Sequence, residues 1–369
     1  MPLITNTAAT SSPLPVAKDE PKDLAALSCP LPLPAGERIL LGHGSGGKLS
    51  AELLKDVFLP ALGNPVLNQL EDQAIVSLGA ARLAITTDSF VVKPLFFRGG
   101  DIGSLAVHGT INDLAMGGAE PLWLSAAFIL EEGLPIETLR RVVTSMHEAA
   151  ERAGVPIVTG DTKVVEKGSA DSLFINTTGI GRVRDGVSLS ASQARPGDVI
   201  IVSGFLGDHG IAILAEREGL QFETQVTSDS AALHTLVAAL LQATREVRCL
   251  RDPTRGGLSS TLNEIAGSSQ VGMELDETSI PVREEVRGAC EMLGLDPLYV
   301  ANEGKLVAIV ALSHAQAALK GLQGHPLGKD AAIIGRVTED HPRMVVMRTP
   351  FGTTRIVDML AGDQLPRIC

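Results

Sequence analysis

The sequence contains few cysteines, and they are scattered along the chain. Four of its 369 residues are cysteines, with no C-x-x-C pair among them: Cys29, Cys249, Cys290 and Cys369. A structural zinc site would need cysteines and histidines clustered, and four scattered cysteines in a chain of this length favour a reducing compartment over a disulfide framework. The chain also lacks a run of about 18 apolar residues that could span a membrane and a basic-then-apolar leader at its N-terminus. These absences favour a cytoplasmic protein with no membrane segment.

Positive charge is also in short supply. The chain has 31 Lys and Arg residues against 43 Asp and Glu residues, which gives a formal net charge of -12. An acidic protein repels the phosphate backbone of nucleic acids and, for the same reason, anionic lipid. Nucleotides are not excluded, because they usually bring a metal ion that screens acidic ligands.

Length and pattern predict two domains of the α/β (α+β) class. The composition, 44% hydrophobic and 20% charged, is that of a globular protein, and a single core stops growing near roughly 250–300 residues. Residues 1–36 are rich in Pro, Ser, Thr and Ala and are predicted to be a disordered extension. Strands and helices then alternate through a first domain at 37–190 and a second at 191–348. Residues 349–369 are predicted to form a closing hairpin and a mobile tail.

A glycine-rich segment at residues 42–48 precedes the first predicted strand. Its glycines let backbone N–H groups gather round an anion, and Lys48 adds positive charge. The spacing is not that of a Walker A motif. The segment is either a flexible linker or a loop that covers phosphates.

Acidic residues follow the predicted strands of the first domain. Asp88 and Asp161 each end an apolar strand, which is where open α/β sheets place ligand-binding groups. Converging carboxylates raise each other's pKa, and a bound Mg²⁺ removes that cost while holding phosphates. Helix caps and turns are the alternative role for such residues, and that role suits Asp101. For Asp88 and Asp161 together we favour ligands. The same region also contains Glu71, Asp72, Asn112 and Asp113.

The second domain has polar residues at three junctions, residues 204–210, 251–257 and 301–305. The first two junctions open helices, and a helix N-terminus after a glycine-rich turn binds anions. Capping explains Asp208 and Asp252 as well. A surface position would explain Arg255, and an ordinary turn would explain Glu303.

Cys369 is the last residue of the chain and follows a proline three positions earlier. A C-terminal cysteine is usually incidental, and this one is not a prenylation signal. Residues 361–369 could extend at most about 30 Å, while a protein of this size has a radius of gyration near roughly 20 Å. The thiol could therefore move between the surface and a cleft.

Taken together, these segments resemble the HypE family of hydrogenase maturation factors, within the aminoimidazole ribonucleotide synthetase-like superfamily. The resemblance covers about 37–369. Each segment alone is weak, but their order together with the Pro-Arg-Ile-Cys end is specific. The segments that carry it are residues 42–48, 86–90, 100–103, 112–115, 159–164, 207–210, 251–257, 301–305 and 366–369.

The resemblance implies a two-domain aminoimidazole ribonucleotide synthetase-like fold with mixed sheets and a flexible C-terminal tail. It implies a homodimer whose N-terminal domains share a sheet core. Cys369 would receive a carbamoyl group from the carbamoyltransferase HypF. ATP-dependent dehydration would convert that group to a thiocyanate, and the HypC–HypD complex would pass the cyano group to the iron of a [NiFe] hydrogenase.

Residue roles are implied by the same resemblance. Cys369 would carry the substrate, Lys163 would stabilise developing charge and Glu303 would act as the base. The residues implied in ATP binding are His43, Gly46, Gly47, Lys48, Asp88, Asn112, Asp113, Gly160, Asp161 and Thr162. Those implied in Mg²⁺ binding are Asp72, Asp88, Asp113 and Asp161. Gln73 stands where the superfamily often has a second acid, which leaves open whether Glu71 or Asp72 binds the metal.

Two other functions fit part of the pattern. A related ATP-dependent synthetase or kinase that acts on a free small molecule would share the acidic and glycine-rich segments but would not need Cys369. A non-enzymatic scaffold gated by a nucleotide would show no ATP hydrolysis that depends on an amide.

Overall fold

The computed structural model of the protein describes residues 38–218 and 226–362. The predicted extension at 1–36 lies outside the described residues. So do the last residues of the predicted tail, Cys369 among them.

Fourteen strands are found in the described residues, and most form two large sheets. In chain order they are β1 (Ala74–Leu78), β2 (Ala81–Phe90), β3 (Phe96–Phe97), β4 (Gly100–Asp101), β5 (Ala119–Glu131), β6 (Ile157–Val165), β7 (Leu173–Val183), β8 (Val199–Val202), β9 (Val247–Arg251), β10 (Gly272–Asp276), β11 (Val307–Val310), β12 (Ala332–Thr338), β13 (Val345–Arg348) and β14 (Thr354–Ile356).

The helices lie mainly between these strands. They are α1 (Lys48–Leu53), α2 (Leu59–Leu62), α3 (Ile102–Met116), α4 (Ile136–Ala153), α5 (Asp208–Glu218), α6 (His234–Ala243), α7 (Gly257–Ser269), α8 (Glu284–Leu293) and α9 (Ala315–Gln323). A π-helical turn, Leu54–Phe58, joins α1 to α2. Among the described residues, no helix is both long enough and apolar enough to cross a membrane.

The first sheet has the strand order β1-β2-β7-β5-β6. Its pairs are antiparallel except β5 with β6, which run parallel. Successive side chains of β7 alternate between buried and partly exposed, as expected for a strand with one face on a core. Helix α3 packs on this sheet and is buried along nearly its whole length. Its N-cap is Asp101, whose carboxylate accepts hydrogen bonds from the backbone N–H groups of Gly103 and Ser104, so the capping role predicted for Asp101 is confirmed.

The second sheet has the order β14-β13-β10-β12-β8-β11-β9. Every residue of β8 and β11 is buried, because helices cover both faces of the sheet. Ile200 and Val202 face a core that includes α7, whereas Val199 and Ile201 face a core that includes α6 and α9. A mixed sheet covered on both faces confirms the predicted fold class.

The predicted alternation of strands and helices is present, and two regions contain elements that were not predicted. Strand β9 was not predicted, because arginines interrupt its apolar residues. The helical region from α1 to α2 was not predicted either. The predicted closing hairpin forms, since β13 pairs antiparallel with β14. The first sheet uses residues 74–183 and the second uses residues 199–356, while the exact domain bounds at 37–190 and 191–348 stay a prediction.

Candidate active site

A polar cavity of about 270 Å³ lies where β2, α3 and the turn after β9 meet. Five carboxyl groups from five separate segments line it. Asp72 precedes β1, Asp88 lies in β2, Asp113 in α3, Asp252 after β9, and Glu303 before β11. The two sheets therefore build this cavity together. Neither half of the chain contains the site by itself.

The carboxyl groups of the cavity hold their protons strongly. Burial raises the pKa of Asp113 and of Glu303 well above the ordinary range, and in both cases the charge of Asp252 raises it further. Burial also raises the pKa of Asp252, to about 8. The Thr86 hydroxyl donates a hydrogen bond of 2.7 Å to the Asp113 carboxylate and only partly offsets these effects. The cavity therefore favours protons or a bound cation.

Arg251, the last residue of β9, is paired with Asp72. Its guanidinium group donates a short hydrogen bond to the Asp72 carboxylate and one of 2.8 Å to the carbonyl of Leu70. The Glu71 carboxylate lies 3.4 Å from Arg251 Nη2 and accepts hydrogen bonds from Ser190 Oγ at 2.6 Å and the Ala191 N–H at 2.9 Å. Of the two neighbouring acids, Asp72 is the one that lines the cavity.

Arg255 is the cation on the cavity wall, and it brings the glycine-rich segment next to the site. Its charge partly offsets the rise that burial causes in the pKa of Asp88. Its Nη1 donates a 3.3 Å hydrogen bond to the carbonyl of Gly44. Gly46 has a φ of +74°, and a Cβ atom there would lie 2.8 Å from the carbonyl oxygen of Arg255. Only glycine fits both the conformation and the space.

The glycine-rich segment is also bound to the last described residues of the chain. The Lys48 N–H donates to the Leu360 carbonyl at 2.8 Å, and Lys48 Nζ lies 2.5 Å from Asp358 Oδ2. Ser45 Oγ donates to the Gly362 carbonyl at 3.0 Å. The segment thus reaches from the cavity to the start of the predicted tail. Lys48 was predicted to contact ATP phosphates; in this structure its partner is a carboxylate, and the ATP contact stays a prediction.

His43 and Asn112 have backbone partners. His43 Nδ1 lies 2.9 Å from the backbone N–H of Leu40. Asn112 is 1% exposed, and its amide group bonds to the carbonyls of Ala231 and Glu303 and to the N–H of Leu233. Asn112 therefore fixes the backbone beside Glu303, while its predicted contact with ATP is untested.

Lys163 and its neighbours lie apart from the cavity of the same chain. They belong to β6, an edge strand of the first sheet, and do not line the cavity. The side chains of Lys163 and Asp161 are 71% and 63% exposed and form an ion pair at 3.2 Å. Lys163 lowers the pKa of Asp161. Gly160 and Thr162 are exposed on the same strand.

Asp252 is the cavity residue that the sequence assigned least clearly. Capping was the alternative role, because the residue lies in a glycine-rich turn before a helix. The missing signal was β9: a residue that directly follows a buried strand lies at a sheet edge where ligands bind. Cys249 and Cys290 are buried, and burial raises the thiol pKa of both. Neither is suited to be a nucleophile.

Comparisons with known proteins identify the family. The model of the AIR synthase related protein N-terminal domain matches residues 70–183, and that of the C-terminal domain matches residues 195–347. The carbamoyl dehydratase HypE of Azotobacter vinelandii is 61% identical over 327 residues, which cover 89% of this chain and 96% of the relative. The chain belongs to the HypE family.

Crystal structures of HypE proteins share the fold. A chain in the crystal structure of a HypE–HypF complex is 50% identical, with a TM-score of 0.80, over 84% of this chain and 99% of that one. A HypE in complex with ATP is 52% identical, with a TM-score of 0.76, over 90% of this chain and 100% of that one. The predicted family and fold are therefore confirmed.

Proposed function

We propose that this protein is an ATP-dependent carbamoyl dehydratase of hydrogenase maturation. The carrying observation is its 61% identity to a carbamoyl dehydratase HypE over almost the whole of that relative. The cavity agrees with it, since five carboxyl groups and Arg255 from both sheets line one small polar space. The substrate is an S-carbamoyl group on Cys369, and the product is the thiocyanate of the same cysteine.

The reaction replaces a poor leaving group with a good one. The amide oxygen attacks the γ-phosphorus of ATP and ADP leaves. The amide nitrogen then loses its protons, the C–O bond breaks and phosphate departs, which leaves a C≡N group on the sulfur. Because the product stays covalently attached to Cys369, cyanide is not released into solution.

Glu303 is the proposed base. Burial and the neighbouring acids raise its pKa well above the ordinary range, and once it is ionised, a carboxylate with a raised pKa is the stronger proton acceptor. Asn112 holds the carbonyl of Glu303 at 3.3 Å, and Asp229 accepts a hydrogen bond from its N–H at 3.0 Å. These bonds fix the backbone from which the carboxylate extends into the cavity. The ATP phosphates would lie between this wall and the segment that contains His43, Gly46, Gly47 and Lys48.

Mg²⁺ is the cation that this set of donors would take. Four aspartates offer hard oxygen ligands in this space: Asp72, Asp88, Asp113 and Asp252. Their like charges raise the pKa of Asp113 and of Asp252. No group of three His, Cys, Asp or Glu side chains within 38–218 and 226–362 is already arranged to hold a metal ion, so phosphate oxygens would complete the coordination. When bound, the ion would neutralise phosphate charge. Of the acids predicted to bind it, Asp161 lies outside the cavity of its own chain.

A homodimer would give Asp161 and Lys163 a role. Their strand β6 ends the first sheet, and its apolar side chains Val158 and Val164 are 59% and 68% exposed. An exposed edge strand with apolar side chains is a pairing surface. We propose that a second copy covers it, and that Lys163 then reaches the cavity of that copy and stabilises charge on the transferred phosphoryl group.

The test of the dimer is complementation. Lys163→Ala and Glu303→Gln subunits should each be inactive alone, and mixing them should restore part of the activity, because one cavity of each mixed dimer is complete. If the mixture stays inactive while mixed dimers form, Lys163 does not act across the interface.

HypF is the proposed donor of the carbamoyl group, and the HypC–HypD complex is the proposed acceptor of the cyano group. A crystal structure of a HypE–HypF complex supports the first of these partners, and family membership supports the second. Both fit a cytoplasmic protein.

Intact-mass analysis tests the function directly. After incubation with the carbamoyl donor system and Mg-ATP, we expect carbamoyl addition and then loss of one water, both on Cys369. Cys369→Ser should show neither change, and Cys290→Ser is the matched control that should show both. An adduct on Cys249 or Cys290, or turnover that persists in Cys369→Ser, would refute the proposal.

A further inference from the structure

A second polar cavity, of about 540 Å³, lies away from the proposed active site. One wall is the turn after β7, residues 184–189, and the other comes from the end of α6 and the start of β9. It shares no lining residue with the carboxyl-lined cavity. Three arginines and one aspartate line it: Arg184, Arg245, Arg248 and Asp185. In a chain of net charge -12, this is a local excess of positive charge.

Arg184 has a buried hydrogen-bond donor with nothing to bind. Its Nε is buried and has no hydrogen-bond partner. Within the described residues, no carboxylate lies within ion-pair distance of its guanidinium group. Burial lowers the pKa of His234, and the positive charge of Arg184 lowers it further. A buried N–H donor without a partner is costly, so an anion at this position would stabilise it.

Arg245 reaches into the same cavity from the opposite wall. Its Nη1 lies 2.8 Å from the position that a Cβ atom would have on Gly186, which has a φ of +73°. Glycine at this turn therefore lets the guanidinium lie directly over the backbone. Arg245 also forms no ion pair with the part of the chain that the structure describes.

Arg248 is the arginine that already has acidic neighbours. Its Nη1 lies 3.1 Å from Glu246 Oε2, and its Nε lies 3.8 Å from Asp198 Oδ2. That second distance is too long for a hydrogen bond, and Arg248 Nε is buried without a hydrogen-bond partner. The two walls therefore present three guanidinium groups around one cavity, and two of these groups form no ion pair within residues 38–218 and 226–362.

We propose that this cavity binds a small molecule that carries phosphoryl groups. A guanidinium group presents its N–H donors in a planar fork that matches phosphate oxygens, and arginines on opposite walls suit a dianion. Val187 and Leu241 provide an apolar surface beside them, which would contact the rest of the ligand. The site is independent of the proposed reaction, since none of its residues has a part in it.

Calorimetric titration with inorganic pyrophosphate tests the proposal. The full chain is titrated in EDTA, because without a divalent cation the carboxyl-lined cavity lacks the ion that would hold phosphate there. We expect a single binding event that weakens about tenfold in Arg184→Gln and in Arg245→Gln, since each substitution removes charge-assisted hydrogen bonds. Arg140→Gln, which alters an arginine with a 69% exposed side chain on α4, is the matched control and should bind as the wild type does.

Citrate serves as the second probe and separates phosphoryl from carboxylate recognition. Pyrophosphate binding that exceeds citrate binding supports the proposal. Equal binding of both, or binding of citrate alone, overturns the phosphoryl assignment. Pyrophosphate binding that is unchanged in Arg245→Gln, whose side chain is exposed enough to leave the fold intact, overturns the site itself, as does a complete lack of binding by the wild type.

Discussion

The carboxyl group of Asp252 should make the metal-free protein less stable as the pH rises. Its pKa in the folded protein is about 8, against an ordinary value of 3.8. The folded state therefore keeps a proton that the unfolded state has released, so the free energy of unfolding falls with rising pH. Between about pH 6.5 and about pH 8, one such group lowers the free energy of unfolding by about 2 kcal/mol.

Other groups titrate in the same interval. The other buried acids of the cavity, Asp113 and Glu303, also have a raised pKa and add to the loss of stability. His108 and His209 oppose it, because burial lowers their pKa to about 4 and the unfolded histidines still release protons near about pH 6.5. The quantity to compare is therefore the difference between the wild type and Asp252→Asn, which removes the titration of Asp252 together with the effect of its charge on Asp113 and Glu303.

Urea unfolding in EDTA, followed by circular dichroism at several pH values between about 6.5 and about 8, measures this difference. The Asp252→Asn protein should lose about 2 kcal/mol less than the wild type across the interval. Glu137→Gln, at a position where the side chain is 75% exposed, should follow the wild type. Parallel curves for the wild type and Asp252→Asn would show that this carboxyl group is ionised in the folded protein, and the reasoning would fail.

Three further predictions concern contacts around the cavity. Gly47→Ala places a Cβ atom 2.2 Å from the Leu360 carbonyl oxygen and should lower stability by about 1–3 kcal/mol; Gly288→Ala, where nothing lies within 4 Å, is its control in urea unfolding. Asn112→Ala leaves three backbone groups without their partner and should cost about 3 kcal/mol, which a shift in urea midpoint would report; no shift would contradict it. Arg251→Met leaves Asp72 without its cation and should cost about 3–5 kcal/mol in EDTA and less in Mg²⁺; an equal loss in both buffers would exclude metal binding at Asp72.

The sequence predicted the fold closely because most of its strands are apolar and many are bounded by glycine or proline. Of the residues predicted to act, Asp72, Asp88, Asp113 and Glu303 do line one cavity. Their convergence was predictable because Asp72, Asp88 and Glu303 lie close to strand ends, where a sheet edge gathers polar groups. Asp113 lies in the buried helix α3 beside them.

The remaining features depend on contacts between distant parts of the chain. Lys48 and Asp358 are 310 positions apart, and no local sequence pattern predicts their contact. The pairing of Arg251 with Asp72 spans 179 positions and required β9, whose arginines hid the strand. The exposure of Lys163 follows from the place of β6 at the end of the sheet, which is a property of strand order and not of any one segment.

Hydrogen bonds and an ion pair join residues 45–48 to residues 358–362. They couple ligand binding at the glycine-rich segment to the position of the backbone that leads to the C-terminus. Any ligand that displaces the glycine-rich segment must break the hydrogen bonds from Lys48 and Ser45 to the backbone that leads to the terminal cysteine. Linkage is reciprocal, so whatever frees that backbone changes the affinity for the ligand by the same factor. Modification of the C-terminus and occupancy of the cavity are therefore expected to report on each other, even when the thiol itself is far from the site.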